Sequence, residues 1–231
     1  MNWTSEFVDP TQHIWWLASR ASGIVAILLL TYSALVGLMM GGKFMQRLIG
    51  RPGKGSLAVK HLLQSHEYVS LAALIAIGVH GVTLLGDAYL HPTLSQIAIP
   101  FTIAYRSFYT GLGIIGGYLA ALLGLSFYLR SRIGTARWKK LHRWTLAAYA
   151  LSVVHALGAG TDAADRWFTY PLLASAGLVT LAFFVRISSV SLARGAKRRP
   201  ARPRDLSAAA ATAAAGRQPA GGGYGAGPRV R

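Results

Sequence analysis

The sequence predicts an all-α, polytopic transmembrane helix bundle of about five spans, with its N-terminus outside and a basic, disordered C-terminal tail inside. Composition is the first reason: 53% of the 231 residues are hydrophobic, 13% are charged, and the mean hydropathy is +0.40, too apolar for an ordinary water-soluble domain. The second is five apolar stretches of spanning length, about Ile14 to Met40, Gln64 to Gly86, Phe108 to Leu129, Leu141 to Ala159 and Tyr170 to Ile187. The third is that Lys and Arg collect on one side of these stretches.

Residues 1–13 carry Glu6 and Asp9 and no basic leader, and the first apolar stretch outruns a signal-peptide core, so it reads as a retained helix. Trp15 and Trp16 fit an interfacial belt at its outer end. The connection to the second span holds Lys43, Arg47, Arg51, Lys54 and Lys60, and that between the third and fourth holds Arg130, Arg132, Arg137, Lys139, Lys140 and Arg143. Both are expected in the cytoplasm, with Trp138 and Trp144 near the inner interface. Glu6, Asp9, Asp87, Asp162 and Asp165 fall on the opposite side, against Arg106 and Arg166. The glycines of GLGIIGGYLAALLG (Gly113, Gly116, Gly117, Gly124) let a helix or a flat macrocycle approach the backbone of the third span closely, and plain helix packing is the expected use. After the 14–187 membrane domain, residues 188–231 turn to Ala, Gly, Pro and Arg and are expected to be disordered, their basic start resting on anionic lipid. With no folded recognition module beside it, the net charge of +17 reflects membrane topology and not nucleic-acid binding.

Four of the seven histidines form two pairs within the spans, His66 with His80 and His142 with His155. An intramembrane imidazole needs a partner, and haem iron is the one most often served by two such pairs. Cysteine is absent, so thiolate and iron–sulfur sites are excluded. A step of fourteen residues climbs about 21 Å of helix and one of thirteen about 20 Å, which puts one imidazole near each face of a hydrocarbon core about 30 Å thick. His66 and His80 share a face to within about 40°, whereas thirteen residues leave about 140° between His142 and His155 on an ideal helix. A looser span start, rotated cofactor planes or a bulge would each accommodate that offset. His13, His61 and His91 read as solvated or interfacial. Arg20, inside the first span, and Arg106, in AYRSFY, are the candidate partners for haem propionates, and the stretch around Pro100 and Phe101 is a candidate cover over the outer site.

On these residues the chain resembles the ferric reductase-like transmembrane domain of ferric reductases and NADPH oxidases. The resemblance is carried by WWLASRASGIVAILLLTYSALVG, HEYVSLAALIAIGVHGVTLL, and RSFYTGLGIIGGYLAALLGLSFYLR leading to ARWKKLHRWTLAAYALSVVHALGAGTD. The chain is also similar to the membrane haem subunit of bacterial methionine sulfoxide repair. The resemblance implies two b-type haems, one between His66 and His142 near the cytoplasm and one between His80 and His155 near the outside. Family members commonly have six spans and many continue into flavin and nicotinamide domains; here five spans are read, and the tail has no strands or glycine-rich dinucleotide loop. Electrons are therefore expected from a separate cytoplasmic flavin reductase or from quinol, and ferric iron or a redox partner protein outside is the expected acceptor, at the cell membrane. No acid–base or nucleophile set is visible. The competing reading is a non-catalytic anchor or assembly subunit with structural histidines; a proton or solute carrier is disfavoured because no acid stands deep in a span, Glu67 being the nearest.

Overall fold

Runs of Leu, Ala, Ile and Val with few breakers favour long helices, and every regular element among the described residues is helical. The computed structural model describes residues 10–40 and 57–198, with side chains for 13–40 and 57–188. The helices are α1 (Pro10–Met40), α2 (Leu57–Thr83), α3 (Leu94–Ala98), α4 (Ser107–Leu125), α5 (Arg130–Ile133), α6 (Thr135–His142), α7 (Thr145–Ala159) and α8 (Arg166–Arg198). Glu6, Asp9, the cations Lys43, Arg47, Arg51 and Lys54, and the tail from residue 199 lie outside the described residues.

Four helices are long and apolar enough to cross a bilayer, at His13–Met40, Leu57–Gly86, Ser107–Leu125 and Arg166–Ser188, and large apolar side chains stand exposed along them, as suits lipid contact. The fourth expected span differs. Instead of one helix from Leu141 to Ala159, α6 stops at His142 and α7 has 15 residues, a rise of about 22 Å. The chain tightens at the break, where Trp144 N–H donates to the Leu141 carbonyl and Ala147 N–H to that of Trp144, both at 2.9 Å. Thr145 Oγ1 takes the His142 carbonyl at 2.7 Å, a side-chain bond that competes with the helical ladder. At the other end of the chain, α8 runs to Arg198, ten residues past Ser188 where disorder was expected. Its last turns hold Ala and basic residues that suit a helix C-terminus.

Packing divides the bundle into two close pairs. α1 lies along α2 and α4 along α7, while the α1–α7 and α2–α4 seams are looser. Gly116 of α4 admits the backbone of α7 at Ala148 and Leu151, and Gly117 and Gly124 receive Ile77 and Leu74 of α2, so these glycines serve helix packing as expected. The core joins Ile27 and Leu38 of α1, Tyr149 and Val153 of α7, and Leu172 and Val179 of α8. Arg186 of α8 donates from Nη1 to the carbonyls of Gly37 and Leu38 at 3.0 and 2.9 Å, which meets two groups that the α1 C-terminus leaves open.

The α2–α4 connection is ordered by its own polar groups. Buried Asp87 accepts from the N–H of Tyr89 and Leu90, and Thr93 and Gln96 form a reciprocal cap on α3. The segment then dips beside the bundle, where Ile97 reaches Gly81 next to His80, and Tyr118, well along α4, donates its hydroxyl to the Ala98 carbonyl at 2.5 Å. Phe101 packs on Gly111 and stacks with Phe108 at 6.4 Å. His91, Phe101 and Arg106 all hold positive φ (40°, 66° and 41°), a concentration of backbone strain in one connection.

Candidate metal centres

The four predicted histidines meet between the two helix pairs at two levels. His66 of α2 faces His142 at the end of α6, and His80 of α2 faces His155 of α7; in both pairs the ring centroids are 6.1 Å apart. The first level lies toward the basic end of the bundle, where Arg130, Arg132, Arg137, Lys139, Lys140 and Arg143 are exposed. The second lies toward the acidic end, with Asp87 and Asp162. His13, His61 and His91 are exposed and join neither pair. The break between α6 and α7 resolves the helical-phase problem, because His142 and His155 sit on different helices and need not share a face of one.

A buried imidazole N–H needs an acceptor, and here the neighbouring backbones provide it. His80 Nδ1 bonds the Ser19 carbonyl at 2.8 Å, and His155 Nδ1 bonds that of Tyr109 at 2.9 Å. Four residues beyond each carbonyl stands a glycine. A Cβ at Gly23 would come within 3.0 Å of His80 Nδ1, and one at Gly113 would enter the His155 ring. His66 repeats the arrangement on α1, resting on Gly37 with Nδ1 3.3 Å from Ser33 Oγ, which in turn lies 2.7 Å from Ser70 Oγ. Three imidazoles thus commit Nδ1 and keep Nε2 for a ligand, the tautomer control expected of metal-binding histidines.

His142 differs. Trp138 stacks on its ring at 4.9 Å, and both His142 Nδ1 and Trp138 Nε1 are buried without an acceptor among the described residues.

The separation carries chemical information. Two metal–nitrogen bonds of about 2 Å plus roughly 1.1 Å from each nitrogen to its ring centre give about 6.2 Å between centroids for one metal atom held by two imidazoles. A direct imidazole–imidazole hydrogen bond of about 2.9 Å would instead place the centroids roughly 5.1 Å apart. The observed 6.1 Å matches the first arrangement. Among the described residues no group of three or more His, Cys, Asp or Glu side chains converges, so each level brings together two imidazoles alone. Such a donor set would suit a metal whose other positions a macrocycle fills.

Arg20 and Arg106 both reach the acidic end. Arg20 follows Ser19 in sequence and forms a two-point ion pair with buried Asp162, Nε to Oδ2 at 2.7 Å and Nη2 to Oδ1, with its guanidinium over the Trp16 ring at 5.0 Å. Arg106 donates to the Gly158 carbonyl at 2.7 Å, in the last turn of α7, three residues after His155. The two cations therefore hold the α7 exit beside the His80/His155 level. The sequence reading passed over Asp162 as Arg20's partner, and also Ser19, Gly23, Ser33 and Gly37. A signal for the last four exists, since Ser-x3-Gly occurs twice in α1 with the same fourteen-residue interval as His66 and His80.

Set beside models of protein families, curated proteins and solved structures, the chain finds no match in any of the three. The chemistry of the site rests on its own geometry.

Two outcomes follow for the purified protein. Gly113→Ala drives a methyl group into the His155 ring and should lower the thermal midpoint in detergent, while Gly78→Ala, which meets nothing within 4 Å, should leave it unchanged or raise it slightly. Asp162→Ala strands a part-buried guanidinium and should cost roughly 2 kcal/mol, between the values for exposed and buried pairs; a detergent unfolding curve identical to wild type would contradict this.

Proposed function

We propose that the chain is a transmembrane b-type cytochrome of the ferric reductase-like kind, carrying electrons across the cell membrane through two bis-histidine haems. The observation that supports this most is the 6.1 Å separation repeated at both levels, with Nδ1 committed on three of the four rings. Haem iron with both axial positions filled by imidazole supplies one-electron transfer with no site open to oxygen.

The protein's part is placement. Ser19 with Gly23, and Tyr109 with Gly113, aim Nε2 of His80 and His155 between the helix pairs; Ser33 with Gly37 does so for His66, and the Trp138 ring sets the plane of His142. Arg20 and Arg106 offer positive charge beside the acidic-end site, where propionates need it. The α2–α4 connection packs beside that level, with Ile97 against Gly81.

In this reading α7 completes a five-span bundle, N-terminus outside and C-terminus inside, with the basic end in the cytoplasm. Electrons enter at His66/His142 from a cytoplasmic flavin reductase or quinol and leave from His80/His155 to ferric iron or a redox protein. An inside-negative potential favours that direction by about 2.3 kcal/mol per 100 mV for each charge.

The test is spectroscopic. The purified chain should give a reduced-minus-oxidised b-haem spectrum with two haems per polypeptide. His80→Ala and His155→Ala should each remove the same haem, and His66→Ala and His142→Ala the other. A chain without haem, or four histidine variants with unchanged spectra, would make it a membrane anchor with structural histidines instead.

A further inference from the structure

Buried polar side-chain atoms in folded proteins nearly always have a hydrogen-bond partner, so each one without a partner calls for an explanation. Among the described residues two such atoms occur, and they are neighbours: Trp138 Nε1 and His142 Nδ1, on rings that stack at 4.9 Å one turn apart on α6. The other three histidines of the two levels have acceptors for Nδ1, the Ser19 carbonyl for His80, the Tyr109 carbonyl for His155, and Ser33, through its hydroxyl and its backbone, for His66.

The chemistry of the two atoms says what kind of partner they need. An indole nitrogen can only donate, and an imidazole that gives Nε2 to a metal keeps its proton on Nδ1. Both are then N–H groups in want of an acceptor. The surroundings favour an anionic one. From Ser126 to Trp144 the sequence holds Arg130, Arg132, Arg137, Lys139, Lys140 and Arg143 and no Asp or Glu. Arg130 lays its guanidinium over the Phe127 ring at 3.8 Å, and Phe127 meets the Trp138 ring edge-on at 5.8 Å, so a cation stands one ring away from the indole. Glu67, beside His66 in sequence, is engaged by the Tyr128 hydroxyl at 3.4 Å. A haem brings anionic acceptors of its own, two propionate carboxylates. Arg20 and Arg106 stand at the other level, by the α7 exit, which leaves the basic-end site to draw on donors of its own.

We infer that Trp138 is a haem-binding residue of the basic-end site, its indole N–H donating, beside the Nδ1–H of His142, to a propionate carboxylate. This rests on the haem reading above and deepens it by naming the residue that anchors the basic-end cofactor.

Two substitutions separate the N–H from the ring. Trp138→Phe keeps a ring to stack on His142 and loses the donor, whereas Trp138→Gln keeps an N–H donor and loses the ring. Full-length protein is purified in detergent with its haems and mixed with excess apomyoglobin, and the departure of each b-haem is followed by absorption. Trp138→Phe should release one haem roughly tenfold faster than wild type, the scale of a hydrogen bond to a charged group, with the other haem unchanged. Trp138→Gln should fall between the two. A Trp138→Phe protein isolated with one haem, beside a Trp138→Gln protein with two, is the same result reached during purification. Resonance Raman spectra of the holoproteins supply a second readout, because the propionate bending band moves with hydrogen bonding to the carboxylate; it should shift in Trp138→Phe and hold its wild-type position in Trp138→Gln. Equal release from the two variants, faster release from Trp138→Gln, accelerated loss of both haems alike, or a propionate band indifferent to Trp138→Phe would overturn the inference. A wild-type chain with no b-haem at all would defeat the cytochrome reading instead.

Discussion

An N–H group buried in hydrocarbon must find an acceptor, and in a helical membrane protein almost every carbonyl is already bonded to an N–H four residues on. That constraint shapes this fold. To reach the carbonyl of Ser19, the His80 ring has to lie on the helix surface at the position of Gly23, and His155 meets Tyr109 over Gly113 in the same way. Leaving such a group unpaired costs about 1–3 kcal/mol. Close approach of α1 to α2 and of α4 to α7 accompanies these contacts, with each imidazole held against its own neighbour.

The ends of the bundle are finished differently. At the acidic end, α7 is held at its exit by Arg20 through Asp162 and by Arg106 through Gly158, two cations placed where helix carbonyls and a buried carboxylate favour them. At the basic end α4 has run out, α6 and α7 are separate helices, and aromatic rings replace the backbone as the neighbour of His142. One architecture thus gives a tightly hydrogen-bonded site and a loosely bonded one. The asymmetry comes from where two helices stop, with the same pair of histidines at each level.

Much of this was legible in the chain. Four of the five apolar stretches, the exposed cations of the basic end, the four histidines apart from the other three, and the packing glycines Gly116, Gly117 and Gly124 appear where patterning placed them. The thirteen-residue spacing of His142 and His155 also declared a conflict with a straight helix, and the break at Arg143 and Trp144 is its resolution. What stayed hidden needed knowledge of which helices touch. A single Ser-x3-Gly is an ordinary packing pattern, and it gains meaning only when α1 is known to lie against α2 in register. Arg20 and Asp162 are 142 positions apart, so no local rule joins them. The extent of α8 past Ser188 was missed because composition weighed the Ala, Gly and Arg of the tail as disorder, while the same Ala and Arg residues are good helix formers.

The repeat on α1 also works as a ruler. Ser19-x3-Gly23 and Ser33-x3-Gly37 hold His80 and His66 at matched intervals on two continuous antiparallel helices. One residue inserted between the notches would turn the far one by about 100° and slide it about 1.5 Å, so one of the two imidazoles would lose its seat. The opposite pair carries no such restriction, since the turn between α6 and α7 can take up a residue. Insertions and deletions in descendants of this chain should therefore be purged from α1 and α2 between their paired positions and tolerated at Arg143 and Trp144, which makes one side of the bundle a fixed gauge and the other an adjustable one.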